Sequence, residues 1–472
     1  MTKFDPAKVG FAYPAHPLTT VPVHGAPWHD KWRNWWASAT IAAPTSEMSV
    51  PAKLSVDAVR RFYGDVDALN DYYVQETEYS RYWIRTLLGL EDETPVILDA
   101  SGAFSSLLVT RMFAHVGRHP EFRGIVAGLP GYVRQFFTVT TTEEGTVEGP
   151  NAVKNNAFVP VTSLFFEQTP ALDYPAGMAV SDNVIDLTKF DNQGIVDEIR
   201  RLVETSSSGG TTCGVIHLPT VSESGRLMPV MEVADLVKQL RSRNHNVFFM
   251  VDDIQGMGRR DADSLNNPLA YCDAYLLSAS KALGGLLTAS ACVVKEELAQ
   301  IFIEKTRAGR VVNPSVSHFQ FEPRLEALLP DWIFKRGAVS IPEIVAMNAA
   351  FMYFYRRGKG DTFREKRLNQ LALVQAERAK VVAAISSIRG VKVVEPSSSR
   401  PIVPSIVAFE IEREGVTPYA VRKALQEGSP IVTPAACVGS LLRLDIPEYR
   451  SVPPCDVLAD KLARVIAGLA KD

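Results

Sequence analysis

The chain has 472 residues, 46% of them hydrophobic and 22% charged, with a formal net charge of −3. That length exceeds one small core and suits a large domain joined to a smaller one. The composition is that of a folded globular protein, and without any long run of Lys and Arg nothing points to a nucleic-acid or anionic-membrane surface.

The opening residues, 1 to about 50, hold Pro6, Pro14, Pro17, Pro22, Pro27 and Pro44 together with Trp28, Trp32, Trp35 and Trp36. They read as an irregular arm whose tryptophans need an apolar surface to cover, on this subunit or a neighbour. An amphipathic helix packed on its own domain is the alternative. Residues 65–88 then read as a helix, Val96–Asp99 as a short buried strand and 103–117 as a helix ending at Gly117. A strand at 124–128 and a loop at Pro130-Gly131-Tyr132 follow, before a less readable stretch to about residue 190.

Beyond it the alternation is regular: helix 194–205, strand 213–218, helix 229–243, strand 246–252 and strand 273–278. Short apolar strands between longer helices predict a mainly parallel sheet covered on both faces. Ligands bind such sheets at the carboxyl ends of the strands. After about residue 340 the texture changes to helices 342–357 and 361–387, strand 403–411, helix 417–427, strand 439–446 and a closing helix at 454–470. The expected division is therefore an arm (1–50), a large domain (51–340) and a smaller α+β domain (341–472).

The five cysteines (Cys213, Cys272, Cys292, Cys437 and Cys455) are scattered and form no CxxC pair. They argue against a disulfide framework or zinc cluster and for a reducing compartment. The first residues lack the apolar stretch of a signal peptide, and no window reaches about 18 apolar residues. A soluble, cytoplasmic enzyme with no membrane or nucleic-acid partner is expected.

Three segments carry chemistry. Lys281, in Leu277-Ser-Ala-Ser-Lys281-Ala-Leu-Gly-Gly285, follows a buried strand and precedes paired glycines. An unpaired ammonium there is costly. The cost disappears if the amine condenses with an aldehyde as a Schiff base, and the same surroundings suit a nucleophile. A surface lysine at a loop start remains the plainer alternative. Asp252 ends the apolar run Val247-Phe-Phe-Met-Val251, where a carboxylate has no packing role and needs a cationic partner. The protonated ring nitrogen of pyridoxal 5′-phosphate (PLP) would be one, with Gln255 in reach of the ring's phenolic oxygen. A helix cap or an internal salt bridge would also explain Asp252. In the third segment, Asp99-Ala-Ser-Gly102-Ala-Phe-Ser-Ser106, a glycine before a helix offers free N–H groups that suit a phosphate. Hydroxyls at Ser278 and Ser280 suit the same group.

The set resembles the fold-type I PLP-dependent enzymes, the aminotransferase superfamily, over roughly residues 70 to 460. Val251-Asp-Asp-Ile-Gln255 followed by Ser278-Ala-Ser-Lys281 is similar to that superfamily's strand-end aspartate, the residue three later and the Schiff-base lysine. Ser101-Gly102-Ala103, the Asp252/Gln255 pair and Arg336-Gly-Ala-Val-Ser-Ile341 look like class V aminotransferases. Val251-Asp-Asp-Ile-Gln-Gly-Met-Gly258 and Lys281-Ala-Leu-Gly-Gly285 look like the α-oxoamine synthases.

The resemblance implies a PLP-transferase fold with a seven-stranded type of sheet. It also implies a cofactor site of Gly102, Ala103, Phe104, Tyr132, Ser222, Asp252, Gln255, Ser278, Ser280 and Lys281. It implies a homodimer with a shared active site, Ala338 standing where class V members present a threonine to the partner's cofactor. Arg443, in Leu441-Leu-Arg-Leu-Asp-Ile446, falls where an arginine forks onto the substrate α-carboxylate. A salt bridge of Arg443 with Asp445 or with a helix acid is the alternative. Tyr132 stacks on the ring or is a surface residue. Ser222 stands where relatives carry an asparagine, and His217 reads as a core residue.

The expected activity is carbanion chemistry on an α-amino acid, with Lys281 as general base, by an aminotransferase or a C–C/C–S lyase. An α-oxoamine synthase-like acyltransferase or a non-catalytic PLP-binding protein is the alternative. Residues 310–436 contain no cysteine, which disfavours desulfuration.

Overall fold

The computed structural model describes residues 64–99, 102–117, 133–143, 177–207, 212–283, 290–300, 341–427, 441–446 and 455–470, with short pieces at 35–36, 56–57, 60–61, 319–320, 431–432 and 435–438. In chain order the first elements are strand β1 (Trp35–Trp36), helix α1 (Val66–Leu88), β2 (Val96–Asp99), α2 (Gly102–Gly117), β3 (Gln135–Thr142) and β4 (Ala179–Asp186). Next come α3 (Asn192–Ser206), β5 (Thr212–Pro219), α4 (Val230–Ser242), β6 (Val247–Asp252), β7 (Ala274–Ser278), β8 (Ser290–Val294) and β9 (Phe319–Gln320). The remainder comprises α5 (Ile341–Arg356), α6 (Phe363–Ser386), β10 (Val391–Val393), β11 (Ile406–Ile411), α7 (Pro418–Leu425), β12 (Ile431–Val432), β13 (Ala435–Val438), β14 (Leu441–Asp445) and α8 (Cys455–Leu469).

The larger sheet has the order β4-β3-β5-β6-β7-β8-β2-β9. Strands β4, β3, β5, β6 and β7 are parallel neighbours, and β8 runs antiparallel to both β7 and β2. This is the mainly parallel seven-strand arrangement expected, with two-residue β9 added at the edge. The second sheet, β10-β11-β14-β13, is antiparallel throughout. Strand β1 pairs with β12, so the Trp35–Trp36 backbone of the arm is tied to the C-terminal part of the chain.

Side-chain alternation distributes the large sheet between two cores. On one face Cys213, Val215, Phe248, Met250 and Leu276 pack against Val109, Met112, Phe113 and Val116 of α2. The Phe113 and Phe248 rings stack 4.3 Å apart. On the other face Ile216, Leu218, Phe249, Val251, Tyr275 and Leu277 meet residues of α1, α3, α4 and α5. The smaller sheet buries Val407, Phe409, Leu442 and Leu444 beneath α6, α7 and α8.

Local signals set the helix ends. The Asp65 carboxylate accepts the Ala68 N–H at 2.9 Å, and Gly89 closes α1 at φ 59°. Thr362 and Glu365 form a reciprocal capping box on α6.

The structure adds strands that the sequence reading passed over. In β3, Gln-Phe-Phe-Thr-Val-Thr-Thr-Thr, the threonines disguise a strand buried from Phe136 to Thr142. Its neighbour β4 is an edge strand with mostly solvated side chains, so Ala-Val-Ser-Asp-Asn-Val-Ile-Asp shows no apolar run. The strand read at 124–128 lies outside the described residues. No helix among the described residues is long and apolar enough to cross a membrane.

Candidate active site

The carboxyl ends of β5, β6 and β7 lie side by side, because Pro219 is in register with Asp252 and Asp252 with Leu276. Strand β2 runs in the same direction, so α2, which follows it, begins at this edge with Gly102.

Asp252 is on the α2 face of the sheet, one alternation beyond Met250, and is 3% exposed. Its Oδ1 accepts the Ile254 N–H at 2.9 Å, and its Oδ2 lies 3.3 Å from His217 Nε2. Among the described residues the carboxylate has no lysine or arginine ion pair, so the salt bridge allowed from sequence is not made by those residues. A buried carboxylate with only neutral or titratable donors fits a protonated heterocyclic nitrogen.

His217 is more than the core residue expected. Cys213, Val215 and His217 alternate onto the α2 face, so the imidazole reaches Asp252 from the neighbouring strand, with Nδ1 at 3.5 Å from Ser106 Oγ. The signal for this was present in the sequence. It needed the register of two strands distant in the chain.

Lys281 follows the end of β7 by three residues and is partly buried. Burial, and next the positive charge of Arg443, lower its pKa from 10.5; Glu223 and Asp252 oppose the shift, and Arg259 adds to it. The amine thus shares one electrostatic neighbourhood with Asp252, Glu223, Arg259 and Arg443. Just before it, Ser278 Oγ and Ser280 Oγ are 2.8 Å apart, and the Ser280 N–H donates to Ser278 Oγ at 3.1 Å.

The loop after β5 contributes Ser222, which is buried. Its hydroxyl donates to Glu143 Oε1 at 2.6 Å, and Ser224 gives the same carboxylate its hydroxyl (2.6 Å) and its N–H (2.7 Å). Glu143 was not singled out from sequence; it stands one residue past the unread strand β3. Arg443, 3% exposed on β14, donates to the Glu223 carbonyl. Burial lowers its pKa, while Glu223 and then Glu143 support the charge. Asp445, the alternative partner considered for Arg443, is held by Arg259 through both carboxylate oxygens.

Gln255 is half-buried in the turn after β6 and its carbonyl accepts Arg259 Nε at 2.9 Å. Gly256 is required in that turn, since a Cβ there would strike Thr220 Oγ1 and the Asp253 carboxylate. Gly102, Ala103 and Phe104 form the first turn of α2, whose N–H groups have no helical acceptors. Tyr132 and Ala338 lie outside the described residues. The structure thus brings together Asp252, Ser278, Ser280, Lys281 and Arg443, with Ser222 and Gln255 on adjoining loops. This donor set suits a group bearing an aldehyde, a basic ring nitrogen and a phosphate.

Superposition gives a TM-score of 0.59 with the cysteine desulfurase of Thermococcus onnurineus NA1, at 14% identity over 92% of this chain and 95% of that one. The cysteine desulfurase CsdA of Escherichia coli gives 0.58 at 14% identity over 94% and 96%, respectively. Pyridoxamine-pyruvate aminotransferase from Mesorhizobium loti gives 0.53 at 16% identity over 93% and 92%. These likenesses establish the fold. No curated protein matches by sequence. The family model for aminotransferase class V matches residues 181–442, more than half of the chain. The chain therefore belongs to the class V aminotransferases, a family of PLP-dependent aminotransferases and lyases.

Proposed function

We propose that the chain carries PLP on Lys281 and acts on an α-amino acid, as an aminotransferase or as a lyase that breaks a C–C or C–S bond. One observation carries this reading: a buried carboxylate ends β6, and a lysine whose pKa is lowered by burial follows its parallel neighbour β7. When bound, the cofactor supplies an aldehyde for the substrate amine and a ring that accepts the electron pair of a broken Cα bond.

The chain's own residues do the rest. Asp252 holds a proton on the ring nitrogen, and His217 fixes the orientation of its carboxylate. Lys281, favoured in its neutral form by burial and by Arg443, takes and returns a proton at the substrate Cα. The first-turn N–H groups of Gly102, Ala103 and Phe104, with the Ser278 and Ser280 hydroxyls, would hold the phosphate. Gln255 would meet the phenolic oxygen, Tyr132 would cover the ring and Ser222 would line the cofactor site. Arg443 forks onto the substrate α-carboxylate.

We further propose a cytoplasmic homodimer in which Ala338 of each subunit approaches the other's cofactor, with the chain divided into an arm (1–50), a large domain (51–340) and a small domain (341–472). The absence of cysteine from residues 310–436 keeps desulfuration out of this proposal.

The test is a panel of amino acids added singly to the PLP-loaded protein. An aminotransferase substrate discharges the visible band without any acceptor and releases one equivalent of keto acid. A lyase substrate releases a side-chain fragment. No spectral change with any member of the panel would contradict the proposed activity.

A further inference from the structure

The loop after β5 closes on itself as a small hairpin. The Ser222 N–H donates to the Arg226 carbonyl at 2.9 Å, and the Gly225 N–H to the Ser222 carbonyl at 3.0 Å. Glu223 and Ser224 are therefore the central residues of its turn. Gly225, at φ 92°, leaves no space for a Cβ, which would lie 2.8 Å from Ile406 of β11. Its carbonyl accepts the Val403 N–H at 2.9 Å, and Arg226 forms a bridge with Ile402. Val221, Val403 and Ile406 are buried together beside it. The turn is thus fixed to the part of the chain that leads into the small sheet.

Its polar groups are divided unequally. Both hydroxyls, of Ser222 and Ser224, are donated to the Glu143 carboxylate at 2.6 Å, and the Ser224 N–H joins them at 2.7 Å. The Glu223 carbonyl accepts Arg443 Nη1. The turn therefore commits its hydroxyl protons to Glu143 and brings a second carboxylate, that of half-buried Glu223, to the site. At Lys281, where burial and then Arg443 lower the pKa, Glu223 opposes the shift ahead of Asp252. At Arg443, where burial again lowers the pKa, Glu223 is the leading support of the charge. An amino acid joined at the Lys281 position and held at Arg443 fills the space between two groups that both feel this carboxylate.

We propose that Glu223 is a specificity-determining residue that excludes amino acids with a carboxylate in the side chain and admits those with neutral or cationic side chains. This narrows the reading of Lys281 and Arg443 given above and rests on it. An acidic side chain placed here meets a like charge, and the hydroxyl protons beside it already serve Glu143. An amide, hydroxyl or ammonium group meets an acceptor instead.

The test uses the PLP-loaded protein and two oxyamines, 2-aminooxysuccinate and its 4-amide. Both condense with a bound aldehyde cofactor, whatever the natural substrate is. Both keep the α-carboxylate, so any contribution of Arg443 cancels in their ratio. Rates are followed by loss of the visible band and divided by those with free PLP, which removes intrinsic reactivity. The amide is expected to react faster by at least about tenfold, a modest share of what juxtaposed like charges cost. Glu223→Gln keeps the shape and the carbonyl that Arg443 bonds, and should bring the two rates within about threefold of each other. Glu223→Asp keeps the charge and should keep the preference.

Equal rates in the unmodified protein overturn the proposal, as does a preference undiminished in Glu223→Gln. A preference lost equally in Glu223→Asp assigns the effect to side-chain shape and overturns it too. In each of these cases condensation still occurs, so the reading of the cofactor site stands. If neither oxyamine condenses at all, that reading fails and the proposal with it.

Discussion

Asp252 and Asp253 are adjacent, as are Arg259 and Arg260, yet within this one loop the members of each pair serve opposite ends. Asp253 and Arg260 turn into the large domain. The Asp253 carboxylate takes Arg260 Nη2 at 2.9 Å and Nε at 3.1 Å, and receives the Thr220 and Tyr275 hydroxyls. Arg260 Nη2 also donates to the Tyr275 hydroxyl at 2.9 Å. Asp252 and Arg259 turn outward to the site and to the small sheet. A buried charge with all its partners inside one core serves the fold; on the reading proposed above, one with an incomplete or inter-sheet partner set serves the site.

Breaking the inward pair should have the largest effect. Asp253→Ala strands Arg260 and the Tyr275 hydroxyl, and is expected to destabilise the protein by about 3–5 kcal/mol in urea unfolding. Loss below about 1 kcal/mol would show that water or repacking replaces the network.

The outward member should instead separate binding from turnover. Asp252→Ala is expected to retain PLP but to lose at least about a hundredfold in rate, roughly 3 kcal/mol. Near-normal turnover would refute the assigned role of the carboxylate.

A third buried carboxylate, Glu76 on α1, sharpens the contrast because its partner is neutral: Asn348 Nδ2, 2.9 Å away on α5. Burial raises its pKa from 4.5 to about 7, against the lowering effect of that hydrogen bond. The folded state therefore holds this proton more tightly than the unfolded chain. The stability associated with it is complete below pH 4.5 and is lost as the pH rises to about 7. Glu76→Gln should be the more stable form at pH 8, by about 3 kcal/mol, with the difference vanishing near pH 4. Equal stability at both pH values would contradict this.

The smallest effect concerns His217. His217→Gln should lower the rate about tenfold, or ~1.4 kcal/mol, without loss of cofactor.

Much of this was legible in the sequence for a physical reason. Asp252 and Lys281 are each fixed by a neighbouring apolar strand, and local patterning reveals such strands. The parallel core from α3 to β7 followed the same alternation, as did the long helices of the C-terminal part. What escaped depends on contacts between distant segments. The β3 threonines are buried by neighbouring strands rather than by apolar character, and β4 is polar because it lies at an edge. Glu143, His217 and Arg259 acquire their partners only when the strand ends converge. Helix α5 shows the same limit: the proposed boundary puts it in the small domain, while its Ile344, Met347 and Phe351 join the core cluster that contains Trp83, Ile84 and Leu87 of α1.

The most direct test of the central claim is borohydride reduction of the PLP-loaded protein, followed by peptide mapping. The account predicts loss of the visible band and a cofactor adduct on Lys281. An adduct on any other lysine, with Lys281 unmodified, would contradict it.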